Sequence, residues 1–478
     1  MELPAITVST LILVTDWLIR IAALFWIPTR SSPAAARSWL LLVGFVPLFG
    51  LPLYLAFGHP WLATQRRQRQ SQASRLIREL QQPLAQLRWQ PAGKREEINV
   101  DDIARLAESL GDFMPMTGNS VTLFDEYNAS LRALLADIDA ARHEVHLLYY
   151  LMFDDAVGRA FAEALQRAAA RGVRCRVLLD AVGAKRGLRA FAKPLRAAGV
   201  DVRAMLAGGL AWRRSSRMDL RNHRKIAVID GHIGHTGSQN LAAPDFVPGT
   251  PNREVVARVE GPVVLQLAAL FASDWYIETG EALAVATESI SAMIAGTTPA
   301  QALPSGPAYP FENARNMVVA MVQRAQRSVT LATPYFVPDD ATLTALRIAA
   351  LSGIDVQLIL SRSNNQRLTA WAQTAYYEEL LAAGVRIALY RPHFLHAKHL
   401  RVDGDIALVG SINLDIRSFA LNAEVGLLCY DSAVVARLRA IEDDYLAQSD
   451  FVDQETWRRR PTWQRSREGI ARLADSFL

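Results

Sequence analysis

The chain carries one pattern of chemically capable residues twice. The first copy places Lys225 two residues after His223, Asp230 seven after it, and a Gly237-Ser238-Gln239-Asn240 run beginning fourteen after it. The second copy repeats those offsets with His396, Lys398, Asp403 and Gly410-Ser411-Ile412-Asn413. Histidine can serve as nucleophile, base or acid near neutral pH. Lysine offers a compact positive charge suited to a phosphate oxygen. Two histidines facing one phosphorus can divide the work. One attacks, and the other protonates the leaving alcohol and later deprotonates the incoming one. Two lysines, with Asn240, Asn413, Ser238 and Ser411 as further donors, can stabilise the charge that a metal stabilises elsewhere. Of the 52 basic side chains only five are lysine, Lys94, Lys185, Lys193, Lys225 and Lys398, so both motif positions require an ammonium in a chain that otherwise uses arginine. Asp230 and Asp403 each precede glycine, which suits a turn as well as a catalytic role.

The residues between Lys and Asp are apolar and alternate, as in a strand entering a turn, and His and Lys two apart on a strand share a face. Around each motif lies a longer repeat. Glu144–Tyr150, a helix, and Arg171–Asp180 are matched by Arg327–Tyr335, a helix, and Ser352–Leu360. Ala197-Ala198-Gly199 is matched by Ala382-Ala383-Gly384, and Asn252-Arg253-Glu254-Val255 by Asn422-Ala423-Glu424-Val425. This alternation predicts two α/β units, joined near 295–310 by a Pro/Gly/Ser/Thr-rich stretch.

At 478 residues the chain is long enough for two or three domains, and its 51% apolar and 21% charged residues exclude a disordered protein. Its net charge of +5 favours anionic partners, lipid headgroups or nucleic acid. The two cysteines, Cys175 and Cys429, sit in apolar strand-like runs and read as core thiols. No Cys/His metal spacing is present, so neither metal nor cofactor is expected.

Two apolar runs, Ala5–Ile27 and Trp39–Phe57, each approach the twenty residues that a bilayer core requires. They predict a two-helix transmembrane hairpin, with Asp16 and Arg20 paired at i, i+4 and Gly44, Pro47, Gly50 and Pro52 marking a close contact or kink. The arginines at 66, 67, 69, 75 and 78 place the remainder of the chain in the cytoplasm. Leucines and an isoleucine at 76, 77, 80, 84 and 87 give an amphipathic face, either for the membrane surface or for the body. Trp212-Arg213-Arg214 beside the first motif, and Trp457–Arg465 in the tail, suit a headgroup or bilayer interface.

The duplicated His-x-Lys-x4-Asp resembles the signature of the phospholipase D superfamily. With the apolar hairpin, Met218–Lys225, Thr333–Pro338 and Val409–Ser418, the chain is similar over nearly its whole length to bacterial cardiolipin synthases. That resemblance implies a pseudo-twofold pair of phospholipase D-like α/β sandwich halves, preceded by the hairpin. The expected segments are 1–62 (hairpin), 63–112 (amphipathic or linker helices), 113–294 (first half), 295–455 (second half) and 456–478 (basic aromatic tail). It implies transfer of a phosphatidyl group between two phosphatidylglycerols through a phosphohistidine, at a bacterial inner membrane. Lys225, Lys398, Asn240 and Asn413 carry over as phosphate ligands. Glu254 and Glu424 carry over as the acids about thirty residues past each motif histidine that orient its imidazole. Their spacings are unequal, 31 residues from His223 and 28 from His396. His223 is taken as nucleophile and His396 as acid/base. The alternatives are hydrolysis by the same fold, another phosphatidyl transfer, nucleic-acid processing or a non-catalytic membrane scaffold. The hairpin argues against nucleic acid.

Overall fold

The computed structural model describes residues 5–31, 33–58, 62–90, 100–206, 217, 219–247, 249, 251–285 and 293–472. Trp212, Arg213, Arg214, Lys94 and the last six residues lie outside them. The chain forms two units, residues 1–65 with 208–220, and residues 66–207 with 221–478.

The first unit contains helices Ala5–Trp26, Pro33–Phe45 and Pro47–Phe57. Asp16 and Arg20 pair at 3.8 Å, as their i, i+4 spacing requires. The second apolar run is not one helix. Pro47 has no N–H and its ring drives the preceding residue out of the helical region, so Val46 sits at φ −135°, ψ 70° and divides the run. The pieces, 13 and 11 residues, are about 20 and 17 Å long. Among the described residues no helix is long and apolar enough to cross a membrane. Ala23, Ile27, Ala36, Val43 and Tyr54 pack together inside the unit. Leu11, Leu13, Leu18, Phe25, Phe45 and Phe49 point outward.

The second unit holds the repeat. Its first half contributes β1 (Met116–Phe124), β2 (Glu144–Tyr149), β3 (Arg174–Asp180), β4 (Asp201–Met205), β5 (Arg221–Asn222), β6 (Lys225–Ile229), β7 (Ile233–Gly237), β8 (Asn252–Arg253) and β9 (Val256–Glu260). The second contributes β10 (Thr298–Ser305), β11 (Ser328–Thr333), β12 (Phe336–Val337), β13 (Asp355–Ser361), β14 (Arg386–Tyr390), β15 (Phe394–Leu395), β16 (His399–Val402), β17 (Ile406–Gly410), β18 (Leu414–Asp415), β19 (Asn422–Cys429) and β20 (Ser449–Phe451).

The main sheet runs β20-β14-β13-β11-β16-β17-β19-β10-β1-β9-β7-β6-β2-β3-β4. Apart from the edge strand β20, that order reads the same from either end once β10 is matched to β1, β19 to β9, and so outward. β2-β3-β4 and β11-β13-β14 are parallel, with helices as crossovers. Their residues are buried in runs, Val177-Leu178-Leu179 and Leu358-Ile359-Leu360, because both faces are covered. Asp155 and Asp339 start matching crossover helices by accepting the Gly158 and Thr342 N–H groups. One core cluster takes Val255 and Ala257 from the first half with Val409 and Leu427 from the second, so the halves share a core.

The segment after the hairpin belongs to this body. In helix Thr64–Gln81 and the 3-10 turn after it, Ile77, Leu84 and Leu87 are buried, while Arg66 makes two bonds to Glu278 at 2.7 and 2.6 Å. The tail also folds back. Arg460 stacks over Trp457 and pairs with Glu468, and helix Thr462–Arg472 leaves only Trp463 and Ile470 as large exposed apolar groups. Both cysteines are free and buried.

Candidate active site

Each motif histidine lies just before its strand, β6 or β16, and two short strand pairs decide how the histidines meet. β5, just before His223, runs parallel to the start of β19 in the other half, and β15, just before His396, runs parallel to β8. The His223 N–H then bonds the Ala423 carbonyl at 2.8 Å, and the His396 N–H bonds the Arg253 carbonyl at 2.8 Å. Each histidine is thereby strapped to the acid-bearing strand of the opposite half.

The carboxylates consequently cross over. His223 Nδ1 is 3.0 Å from both oxygens of Glu424, and His396 Nδ1 is 2.7 and 2.9 Å from those of Glu254. The expectation that each acid orients the histidine of its own repeat is corrected. The unequal spacings of 31 and 28 residues carry no penalty, because no acid has to reach back to its own histidine. Ionised carboxylates only accept, so Nδ1 carries the proton and Nε2 is the nitrogen left for a ligand.

Both acids are deeply buried. Burial alone would raise the Glu254 carboxyl, but His396 and Lys398 outweigh it and hold the group down at about 2. The Glu424 carboxyl is likewise lowered, with His223 and Lys225 outweighing burial. Ser411 Oγ and Ser418 Oγ donate to Glu424 at 2.5 and 2.9 Å, and Asn252 Nδ2 donates to Glu254 at 3.2 Å. Ser411 therefore serves the acid rather than a phosphate. Ser238 ties Val255 at 3.0 and 3.1 Å beside Glu254.

Lys225 and Lys398 are each 1% exposed, and each ammonium donates to the carbonyl of the histidine two residues earlier, at 2.7 and 2.5 Å. Burial pulls them down to about 7 and about 8. Burial also depresses both imidazoles, His396 to about 4. An arriving phosphodiester reverses both trends, since a nearby anion favours the protonated forms.

The two histidines open into a cavity of about 470 Å³ that Asn240, Asn413, Tyr150, Tyr335, Arg221, Arg417 and Asp415 also line. Asn240 Oδ1 and Asn413 Oδ1 are buried with no bonding partner among the described residues, and both side chains line the cavity. Asp230 and Asp403 are not brought there. Asp230, at φ +51°, accepts the Arg142, His143 and Glu144 N–H groups at 2.8, 2.8 and 2.9 Å. Asp403, at φ +50°, accepts those of Gln326, Arg327 and Ser328 at 2.9, 2.8 and 2.7 Å. They lock the turn after each motif strand to the start of the neighbouring strand, β2 or β11. Of their two readings, the geometry supports the turn.

Sequence reasoning missed Arg224 as a support. It is almost fully buried between His223 and Lys225, makes two 2.6 Å bonds to Asp274, and donates to the Glu424 carbonyl at 3.0 Å. Its place one residue past the histidine, on the opposite strand face, was visible; its partner, 50 residues away, was not.

Residues 134–275 and 318–444 match the family model described as cardiolipin synthase, PLD-like domain. Proteins named cardiolipin synthase A from Yersinia pseudotuberculosis and Yersinia pestis are 35% identical over 450 residues, 92% of this chain and 92% of each relative. The chain belongs to the cardiolipin synthase family of the phospholipase D superfamily. The crystal structure of phosphatidylserine synthase from Haemophilus influenzae Rd KW20 shares the fold, with a TM-score of 0.60 at 12% identity over 78% of this chain and 99% of that one. Across this family match, the two blocks coincide with the two repeats that supply one histidine each.

Proposed function

We propose that this cavity transfers a phosphatidyl group from one phosphatidylglycerol to another, giving cardiolipin and glycerol. The observation that carries the reading is the crossed pair of histidine–carboxylate contacts, which turns both Nε2 atoms toward one cavity beside two buried ammoniums. His223 Nε2 attacks phosphorus, forming a P–N bond as the P–O bond to glycerol breaks, and His396 supplies the proton that glycerol leaves with. The terminal hydroxyl of a second phosphatidylglycerol then gives its proton to His396, attacks phosphorus and breaks the P–N bond. Trapping the phosphohistidine and mapping it to His223 or to His396 tests this division. Lys225, Lys398, Asn240 and Asn413 take the non-bridging oxygens.

The lipid nature of the substrate also rests on the first unit. Its outward leucines and phenylalanines form an apolar surface that water disfavours, which supports a bilayer anchor. The arginine-rich segment after it supports a cytoplasmic catalytic body at a bacterial inner membrane.

Purified full-length protein given phosphatidylglycerol labelled in its phosphatidyl moiety is expected to release glycerol and accumulate labelled cardiolipin. Phosphatidic acid as the sole product would replace transfer with hydrolysis, and unchanged lipid would overturn both. Alkaline extraction of membranes is expected to leave the protein in the pellet; release into the supernatant would overturn the anchor.

A further inference from the structure

The pseudo-twofold fails at one carboxylate in the cavity wall. Met152 bridges to Leu241, and Phe336 pairs with Leu414, so the repeat superposes Leu241 on Leu414 and Ala242 on Asp415. Where the first half has a buried methyl, the second has a carboxylate that is 5% exposed and lines the cavity.

A carboxylate is out of place in a site built for a phosphodiester. Asp415 lies within electrostatic reach of Lys398 and of Glu424, and a second anion placed against it would be repelled. Part of it has a local duty: Oδ1 accepts the Ser418 N–H at 2.7 Å and caps helix Ile416–Ala420. An asparagine or serine would do that as well, so capping does not account for a buried charge. Burial raises its carboxyl to about 6, so the charge is kept at a cost.

What such a group recognises is a hydrogen-bond donor. Two classes of headgroup bring donors, ammonium and polyol. Arg221 and Arg417 share the wall with it and disfavour a cation. A neutral polyol meets no such opposition, and Tyr335, bonded to Asn365 at 2.7 Å, adds a second polar group on the same wall.

We propose that Asp415 selects the headgroup of the accepting lipid, taking a hydrogen bond from the one glycerol hydroxyl that does not react. This rests on the phosphatidyl-transfer reading and assigns its specificity to one side of the cavity. A carboxylate paired to a hydroxyl discriminates against an alcohol that lacks the hydroxyl, because that charge-assisted hydrogen bond is then lost.

The test is a partition experiment on the full chain in mixed micelles. Wild type, Asp415→Asn and Asp415→Ser are each given labelled phosphatidylglycerol with ethanol present as a competing acceptor. Cardiolipin and phosphatidylethanol arise from the same intermediate, so their ratio is independent of how fast that intermediate forms. Both variants keep the helix cap, and in both the cardiolipin-to-phosphatidylethanol ratio is expected to fall about 10- to 100-fold, the worth of a hydrogen bond to a charged group. An unchanged ratio overturns the proposal, as does an equal loss of both products, which marks a structural role. Failure of the wild type to make either lipid would instead sink the transfer reading.

Discussion

The two halves of the catalytic body agree in strand order and disagree in what stands around the histidines. His, Lys, Asn and Glu recur in both: each histidine meets a carboxylate of the other half, and each lysine donates to the carbonyl of its own motif histidine. Arg224 has Ala397 in its place in the second half, and Asp415 has Ala242 in the first. The repeated groups are those that a phosphorus needs on two opposite sides. The unrepeated ones serve support and selection, for which the two sides have different tasks. Symmetry here marks chemistry, and its loss marks recognition and reinforcement.

That division can be attacked at several depths. Deepest are the repeated groups: His223→Ala and His396→Ala are each expected to lower turnover of phosphatidylglycerol by at least about 10⁴-fold. Circular dichroism is expected to stay unchanged, and substantial activity in either variant would mean that the halves work separately. Next, Lys225→Arg and Lys398→Arg keep the charge but place a planar fork where only a narrow ammonium fits. Each is expected to cost about 100-fold in kcat/KM, and wild-type rates in either would show that charge alone suffices.

Arg224 tests reinforcement. Arg224→Met leaves Asp274 as a buried charge without its guanidinium, and thermal or denaturant unfolding is expected to show a loss of about 3–5 kcal/mol. Substitution of Ala397 by serine at the matching place has no such partner to strand and is expected to change stability far less. Equal losses would erase the asymmetry. Asp230→Asn and Asp403→Asn weaken three backbone contacts apiece while remaining tolerant of positive φ. Stability is expected to fall by about 1–2 kcal/mol with kcat of the folded protein unchanged; a collapse in kcat would return these residues to the catalytic set.

The smallest effect is on pH. Lys225 and Lys398, held by burial near 7 and 8, bind an anion only when protonated, so their contribution is complete below these values and lost as pH rises through them. The alkaline limb of kcat/KM is expected between about pH 7 and 8, roughly tenfold per unit at steepest, while kcat holds to higher pH because bound phosphate restores the protons. A limb near the ordinary lysine range in kcat/KM would contradict the burial argument.

Much of this organisation was legible in the residues, and the exceptions have physical causes. The repeat and its strands followed from apolar alternation, helix–glycine–strand punctuation and offsets kept in register. Which acid meets which histidine did not follow, because it depends on β5 and β15, two-residue strands with no periodicity, pairing across about 200 and 140 residues. The second apolar run read as one helix by hydropathy, yet Pro47 acts through Val46 to divide it. The tail's tryptophans and arginines suited a bilayer interface by composition. Trp457 instead lies against Tyr377 at 5.1 Å, and Arg465 binds Glu378, partners that composition does not name.

The crossing itself can be measured. Resolved by NMR, the titrations of the two motif imidazoles in Glu424→Gln and Glu254→Gln variants report which acid faces which ring. The geometry predicts that Glu424→Gln displaces the His223 titration and leaves that of His396 in place, and that Glu254→Gln does the reverse. Displacement of His223 by Glu254→Gln, or of His396 by Glu424→Gln, would mean that each half completes its own site, and the single shared cavity would have to be abandoned.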